Sequence, residues 1–267
     1  MSKFIKDLIK VYKEDRINIL SGYASFFITI SSVPFIGLIF YVLGKLSPSL
    51  VDSFENLIST IVPQGLLNGF SAIIEQIKIA NAKILLPISI ITALWAACKG
   101  TGGLTRGIEH IYKREEEKVY LVRVVQNIYR TLIFTILAIL LVVVFSVGKV
   151  LIANIQPENY AMHILFQILL KLRFVAYLAF MVLVFDIIYR QLSGVKRLLN
   201  HLPGAVFTSV GWTVFTAIYS IYISYVLSKP SVYLGMGTLV FFMLWIYFLV
   251  TIVLIGSEIN KLYIQRK

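Results

Sequence analysis

The sequence predicts an all-α membrane protein, with one integral membrane domain over residues 1–267, six transmembrane helices and further amphipathic helices outside the bilayer. Of the 267 residues, 58% are hydrophobic and 14% are charged, whereas about 25% of the residues in a soluble domain are charged. The mean hydropathy is +0.85. A soluble chain of this length could not bury so much apolar surface. Disordered chains are poor in large apolar residues, so an intrinsically disordered protein is excluded too.

Six apolar runs supply the predicted spans, because a helix rises about 1.5 Å per residue and the hydrocarbon core is about 30 Å thick. The second and fourth runs are the shortest, and the fourth contains one charged residue, Asp186. Lysines and arginines bound both runs, and their long side chains can reach the lipid headgroups. In chain order the predicted spans are 17–44, 84–98, 131–148, 174–189, 202–228 and 231–257.

The first run follows a basic segment, residues 1–16, in the order that a secretory signal also has. The apolar core of such a signal is about 7–15 residues long, whereas the uncharged run 17–44 has 28 residues. We therefore predict that this run is a retained first transmembrane helix.

Lysine and arginine are distributed unevenly over the seven segments outside the spans. Their counts are 5, 3, 7, 3, 3, 1 and 3 in chain order, so the odd-numbered segments hold 18 and the others hold 7. Cytoplasmic loops are enriched in these residues. The pattern predicts that both termini are cytoplasmic, and it accounts for the net charge of +12 without nucleic acid.

Helical periodicity continues outside the spans. Apolar residues recur at helical spacing in 50–61 and again in 67–77, which predicts two amphipathic helices on the outer side. The inner segment 99–130 carries the helical face Leu104, Ile108, Ile111 and Tyr112. Gly102 and Gly103, near its start, predict a break after the second span.

Several strings in this order resemble the YihY/BrkB family of bacterial inner-membrane proteins, formerly labelled ribonuclease BN. The resemblance covers nearly the whole chain and implies a six-helix protein of the bacterial cytoplasmic membrane. It also implies a role in the export of envelope lipids or other amphiphiles. The matching strings are Ser21-Gly22-Tyr23-Ala24-Ser25-Phe26-Phe27, Leu94-Trp95-Ala96-Ala97-Cys98-Lys99-Gly100, Thr105-Arg106-Gly107-Ile108, Leu202-Pro203-Gly204-Ala205 and Gly256-Ser257-Glu258-Ile259-Asn260.

Basic residues at the predicted inner ends of the helices are candidates for binding an anionic substrate. Lys99 and Arg106 flank the glycine pair, where free backbone amides at a helix start would help to hold a lipid phosphate. The alternative is that they mark a helix end and the cytoplasmic side. Arg190 is the third candidate, and its alternative role is an i,i+4 ion pair with Asp186.

Ionisable residues at membrane depth are costly and are therefore candidate functional groups. Asp186 lies near the end of the fourth span, and Glu258 and Asn260 follow the sixth. We interpret these three as coupling groups or as the wall of a polar cavity. For Asp186 and Glu258 the alternative is a structural ion pair with a basic neighbour.

The leading hypothesis is a transporter or flippase-like protein that moves a lipid or other anionic amphiphile. Its expected partners are membrane lipids, with a lipid-linked envelope precursor as a candidate and no nucleic acid. We expect no enzymatic activity, cofactor or metal, since the sequence has neither a phosphate-binding loop of the G-x-x-x-x-G-K-[ST] type nor a zinc-ligand spacing. Two alternatives stay open: a non-transporting scaffold of envelope machinery, and a ribonuclease.

Overall fold

The structure is a computed structural model, and its secondary structure is entirely helical in the part of the chain that it describes. The described residues are 10–46, 51–52, 54–55, 58–59, 62–67, 75, 82–114, 122, 125–130, 132–133, 160–195, 200–227 and 234–265.

Five long helices make up most of this part. In chain order they are α1 (Ile17–Leu46), α2 (Ala82–Ile111), α3 (Tyr160–Ser193), α4 (Leu202–Leu227) and α5 (Leu234–Gln265), with a 3-10 turn at Gln64–Leu66 between α1 and α2.

Helix α5 lies at the centre of the arrangement, in contact with α1, α2 and α4. The most extensive contact joins α1 to α2, and α3 packs against α4 and α2. The main apolar core lies between α5 and the neighbouring ends of the other helices, around Leu254, Ile108 and Tyr189. Leu254, Ile108 and Tyr189 are fully buried, which confirms the predicted apolar face of the segment that contains Ile108.

Glycines allow the close approach of α1 and α2. A methyl group added at Gly100 would come within 2.7 Å of the Ile28 side chain, and one at Gly103 within 2.6 Å of the Tyr23 ring. Side chains larger than hydrogen at these two positions would therefore push the helices apart.

The predicted break after Lys99 is wrong. Helix α2 continues without interruption from Ala82 to Ile111, so the amides of Gly102 and Gly103 belong to the helical ladder, in which each N–H donates four residues back. A glycine inside a helix costs only about 1 kcal/mol relative to alanine. The close contact with α1 offsets that cost and keeps the helix continuous.

Three stretches among the described residues are long and apolar enough to cross a membrane: Val175–Ser193, Leu202–Val226 and Gly237–Gln265. They coincide with the predicted spans 174–189, 202–228 and 231–257. The predicted spans 17–44 and 84–98 lie within α1 and α2, whereas 131–148 lies almost wholly outside the described residues. The count of six transmembrane helices therefore stays a prediction.

The helix that contains the fourth predicted span is longer than the span itself. Helix α3 has 34 residues, about 51 Å at the usual rise, and it runs through Lys171 and Arg173. Basic residues that bound an apolar run do not end a helix, because lysine and arginine have high helix propensity.

One predicted outer helix is partly described. The Phe54 ring packs edge-on against Phe40 of α1 with centroids 5.2 Å apart, and Ile58 belongs to the same apolar cluster. This segment therefore packs on α1 through its predicted apolar face. Most of the second predicted outer helix, 67–77, lies outside the described residues.

Candidate functional site

Polar side chains collect at one end of the bundle, where α3 and α5 end and where α1 and α4 begin. Most of them are buried, although the helices on which they lie are apolar. We call this set the polar cluster. It comprises Asp15, Tyr112, Asp186, Tyr189, Arg190, Ser193, His201, Thr208, Glu258, Asn260 and Lys261.

Asp186 and Arg190 form an ion pair within α3. Nη2 of Arg190 lies 2.7 Å from Oδ2 of Asp186, as the i,i+4 interpretation predicted. The Asp186 side chain is only 2% exposed, against 28% for Arg190. Neither Asp186 oxygen receives a well-directed hydrogen bond from a described residue. The pair is therefore close but incompletely satisfied, and it lies at a buried site.

His201 lies beside this ion pair, immediately before α4. Its Nε2 is 2.9 Å from the carbonyl oxygen of Val195 and 3.1 Å from Oγ of Ser193. Because a carbonyl only accepts, the proton of the neutral ring is on Nε2. Burial lowers the pKa of His201, and the positive charge of Arg190 adds to that effect. The ring is therefore held neutral, with Nδ1 as a buried acceptor.

Tyr189 connects α3 to the two helices packed against it. Its hydroxyl is 2.7 Å from Oγ1 of Thr208 and donates to the carbonyl oxygen of Val253 at 2.7 Å. Tyr189 is fully buried. Its hydroxyl therefore has well-placed partners on both α4 and α5, and we assign this residue to structure.

Asn260 joins α5 to the start of α4. Its Oδ1 accepts a hydrogen bond from the backbone N–H of Gly204 at 2.7 Å. That N–H is in the first turn of α4, where helical amides have no partner within the helix. Asn260 is fully buried, and the contact gives it a clear capping role.

Glu258 lies two residues earlier on α5, close to Asp15 and Lys261. Nζ of Lys261 is 3.5 Å from Oε2 of Glu258 and 2.9 Å from Oδ2 of Asp15. Asp15 lies just before α1, and Arg16 in the turn there has a positive φ of 49°. This left-handed turn places the Asp15 carboxylate against the end of α5.

Many buried polar atoms of the cluster have no hydrogen-bond partner among the described residues. Such atoms are rare in folded proteins. They are both oxygens of Asp186 and of Glu258, Nε of Arg190, Nδ1 of His201 and Nδ2 of Asn260, and Oγ of Ser257, next to Glu258 in the chain, is in the same condition.

Lys99 and Arg106 lie outside the polar cluster, although both are on α2. Tyr112 follows that helix and belongs to the cluster, and Lys99 is 13 residues before it, about 20 Å along a helix axis. Lys99 is half-buried and Arg106 is exposed. Of the six candidate residues, the structure therefore brings together Asp186, Arg190, Glu258 and Asn260, and it leaves Lys99 and Arg106 apart.

Seven members of the cluster were not among the candidates: Asp15, Tyr112, Tyr189, Ser193, His201, Thr208 and Lys261. Lys261 is three residues after Glu258 on one helix, a spacing that the sequence displays. Asp15, Tyr112 and His201 come from segments next to spans, and only the packing of the helices brings them together. No group of three or more His, Cys, Asp or Glu converges as around a metal ion among the described residues.

The comparisons with known proteins agree with the strings described above. A family model described as Virulence factor BrkB matches residues 8–267. The chain belongs to the BrkB family. It is also 26% identical to a curated protein of Bacillus subtilis (strain 168) named "Putative ribonuclease-like protein YfkH", over 99% of this chain and 96% of the relative. No solved structure matches the chain.

Membership of the BrkB family confirms the predicted resemblance. Together with the three apolar stretches, it identifies a membrane protein. Neither comparison identifies a substrate.

Proposed function

We propose that this BrkB-family protein moves a lipid or another anionic amphiphile across the bacterial cytoplasmic membrane. The observation that carries the proposal is the polar cluster, with buried charged groups that lack complete hydrogen bonding among the described residues. Buried ion pairs are weak sources of stability, and apolar residues of similar volume often serve as well. Ionisable groups in an apolar bundle therefore favour a functional role.

Arg190 is the proposed headgroup-binding residue. Its side chain is 28% exposed, and the buried Nε has no hydrogen-bond partner among the described residues. A guanidinium group can hold a phosphate through two parallel hydrogen bonds. An arriving phosphate would compete with Asp186 for this group. The exposed Arg106 and the half-buried Lys99 would attract the headgroup earlier, through their charge alone.

Helix α4 provides an apolar surface suited to the acyl chains. Large apolar side chains recur along it at helical spacing and are exposed in the described part of the protein. In water such a stripe would be unfavourable, but in a bilayer it contacts lipid tails. The stripe consists of Val206, Phe207, Val210, Val214, Ile218, Ile221, Tyr222 and Tyr225.

The name of the Bacillus subtilis relative motivates the second candidate, a ribonuclease. General acid–base cleavage requires catalytic groups within hydrogen-bond reach of the RNA. Asp186, His201 and Glu258 are 2%, 0% and 0% exposed, so a nuclease built on them would need the polar cluster to open. Incubation of the purified protein with labelled RNA, with or without divalent metal, tests this candidate directly.

The transport proposal is tested with purified protein in liposomes that contain fluorescently labelled phosphatidylglycerol. A membrane-impermeant quencher then reports how fast the labelled lipid changes leaflet. We expect the protein to accelerate this movement and Arg190→Gln to slow it at least tenfold, about the effect of losing one charge-assisted contact. Labelled phosphatidylcholine, which has no net charge, should move more slowly.

Lys10→Gln is the matched control, because Lys10 is 73% exposed and lies outside the polar cluster. It removes one positive charge and should leave the rate unchanged. Equal rates with and without the wild-type protein would contradict the proposal and favour the scaffold interpretation. Native mass spectrometry of the gently extracted protein, with Lys99→Ala/Arg106→Ala for comparison, would identify a retained lipid.

A further inference from the structure

Two carboxylates and one ammonium group meet where the start of α1 packs against the end of α5. Lys261 is an ion-pair partner of both carboxylates, but it lies closer to Asp15 (2.9 Å) than to Glu258 (3.5 Å). With both carboxylates ionised the group would carry one net negative charge. One added proton makes it neutral.

The three side chains differ in their access to solvent. Asp15 and Lys261 are 17% and 13% exposed, whereas Glu258 is 1% exposed. Both oxygens of Glu258 lack a hydrogen-bond donor among the described residues. A buried carboxylate without donors is strongly disfavoured in its charged form, so the proton of the group belongs on Glu258.

We infer that Glu258 is a proton-binding site, at which the carboxyl group holds a proton directed to the Asp15 carboxylate while Lys261 neutralises Asp15. The proton enters from water at the partly exposed Asp15 and leaves by the same route. No covalent bond other than O–H forms or breaks. Nothing in this assignment depends on what the protein transports.

The charge states of the neighbouring groups agree with this assignment. Burial alone would raise the pKa of Asp15, but the neighbouring Glu258 side chain and the hydrogen bond and charge of Lys261 outweigh it and lower the pKa. His110 of α2 also faces Asp15 and lowers the same pKa.

Among the described residues, the other elements near Glu258 contribute neutral groups or backbone amides. Tyr112, after α2, donates to the carbonyl oxygen of Ser257 at 3.4 Å, and burial raises its pKa, so it stays neutral. From α4, Gly204 binds Asn260 through a backbone amide. The Tyr112 ring in turn contacts His201, and the two ring centroids are 6.2 Å apart.

A proton fits this place better than a metal cation. Nζ of Lys261 lies within ion-pair distance of both carboxylates, where a sodium ion would otherwise bind, and an ammonium group repels a second cation. The proton instead adds to an oxygen that already exists and needs no additional space.

Loss of the proton would place two negative charges side by side between α1 and α5. Their repulsion would separate the left-handed turn at Arg16 from the end of α5, and a new proton would restore the contact. On the basis of the proposed function, this exchange would couple proton movement to lipid transport.

The first experiment measures the proton itself by infrared spectroscopy of the purified full-length protein. A protonated buried carboxyl group gives a carbonyl band apart from those of carboxylates and amides. We expect this band at about pH 7, where an ordinary glutamate is ionised, and we expect Glu258→Gln to remove it. Glu14→Gln is the matched control, since Glu14 is next to Asp15 but 59% exposed, and it should keep the band. No band, or a band that survives in Glu258→Gln, would overturn the inference.

The second experiment measures coupling in the phosphatidylglycerol liposomes. A pH gradient should change the transport rate of the wild-type protein several-fold, and a sodium gradient of the same size should not. In Glu258→Gln the ratio of the rates with and without the pH gradient should fall to about one, whatever the absolute rate of that variant, and Glu14→Gln should keep the wild-type ratio. A response to sodium alone, or to neither gradient, would refute proton coupling. If no lipid moves at all, the proposed function fails, and the infrared band alone decides whether Glu258 binds a proton.

Discussion

The two ends of the α4–α5 pair are built on different principles. At one end the aromatic cluster, Leu66, Tyr219, Ile223, Phe242, Trp245 and Leu249, is buried and apolar. Its polar atoms are satisfied, because the Tyr219 hydroxyl donates to the carbonyl oxygen of Phe241 at 2.6 Å and Nε1 of Trp245 donates to Thr216 at 3.3 Å. At the other end lies the polar cluster, with its incompletely bonded buried groups.

The same two helices therefore carry an end suited to stability and an end suited to function. Among the described residues, the buried side-chain nitrogens and oxygens without a hydrogen-bond partner belong to the polar cluster, to Ser257 beside it and to Ser21 of α1, and none belongs to the aromatic cluster. Natural proteins depart from ideal packing mainly at functional sites. Four changes test this difference, from the largest expected effect to the smallest.

Gly204→Val tests whether the polar end is packed tightly, and it should have the largest effect on folding. A Cβ atom at Gly204 would overlap the carbonyl oxygen of Gly256 and the side chain of Asn260. Backbone atoms cannot move aside as a side chain can, so we expect little or no folded protein in detergent extracts. Gly22→Val is the control, since nothing lies within 4 Å of a Cβ there, and it should change stability by less than about 1 kcal/mol. A stable Gly204→Val protein would mean that loose packing explains the unsatisfied atoms.

Trp245→Ala tests whether the aromatic end provides stability. Trp245 is 5% exposed, and removing a buried tryptophan typically costs about 3–5 kcal/mol. Thermal unfolding in detergent should show a clearly lower midpoint. Trp95→Ala is the matched control, because Trp95 is 54% exposed, and it should shift the midpoint much less. Similar shifts for both variants would remove the distinction between the two ends.

The sequence alone predicted the long helices. It predicted only some of the residues of the polar cluster. Asp186, Glu258 and Asn260 stand out because a charge or an amide in an apolar run is visible without any tertiary contact. The Asp186–Arg190 pair follows from helical spacing alone. His201, Tyr112 and Asp15 are ordinary polar residues in their own segments, and only the packing of α1, α2, α4 and α5 makes them neighbours.

Lys99 and Arg106 lie on one uninterrupted helix, outside the polar cluster. The predicted anion site at Lys99 and Arg106 depended on a helix break at Gly102 and Gly103, which would have freed backbone amides there. The glycines instead lie inside α2, and Gly103 accommodates the ring of Tyr23. A glycine pair in an apolar segment is compatible with two structures, a helix break or a close contact between helices. Which of the two forms depends on whether another helix packs against the glycines.

Arg190→Met should have the third-largest effect, because it leaves the buried Asp186 carboxylate without its counter-ion. Breaking a buried pair in this way costs about 3–5 kcal/mol, and the partial exposure of Arg190 places the expected loss near or below about 3 kcal/mol. In the double variant Asp186→Leu/Arg190→Met no charge remains, and we expect most of the stability to return. Thermal midpoints of the single and double variants make this comparison. A double variant as unstable as the single one would show that the pair is retained for stability.

His201→Gln should have the smallest effect, which is a change in how the stability of the folded protein depends on pH. Burial lowers the pKa of His201 in the folded protein, so the unfolded chain, with a histidine pKa of about 6.5, takes up the proton more readily. Stability contributed by the neutral ring is therefore complete above about pH 6.5 and is lost as the pH falls through the lower pKa of the folded state. The unfolding midpoint of the wild type should drop over this interval by an amount that His201→Gln removes. His110→Gln should retain the drop, because His201 is still present.

Variants of the ion pair can then show whether His201 belongs to the same electrostatic unit. The Asp186 carboxylate favours the charged imidazole and Arg190 disfavours it. Asp186→Asn should therefore move the loss of stability to lower pH, and Arg190→Met should move it to higher pH. Shifts in these opposite directions would establish that the two charges of α3 act on the start of α4. If neither variant moves the transition, water screens His201 from the pair, and the polar cluster divides into independent sites around Asp186 and Glu258.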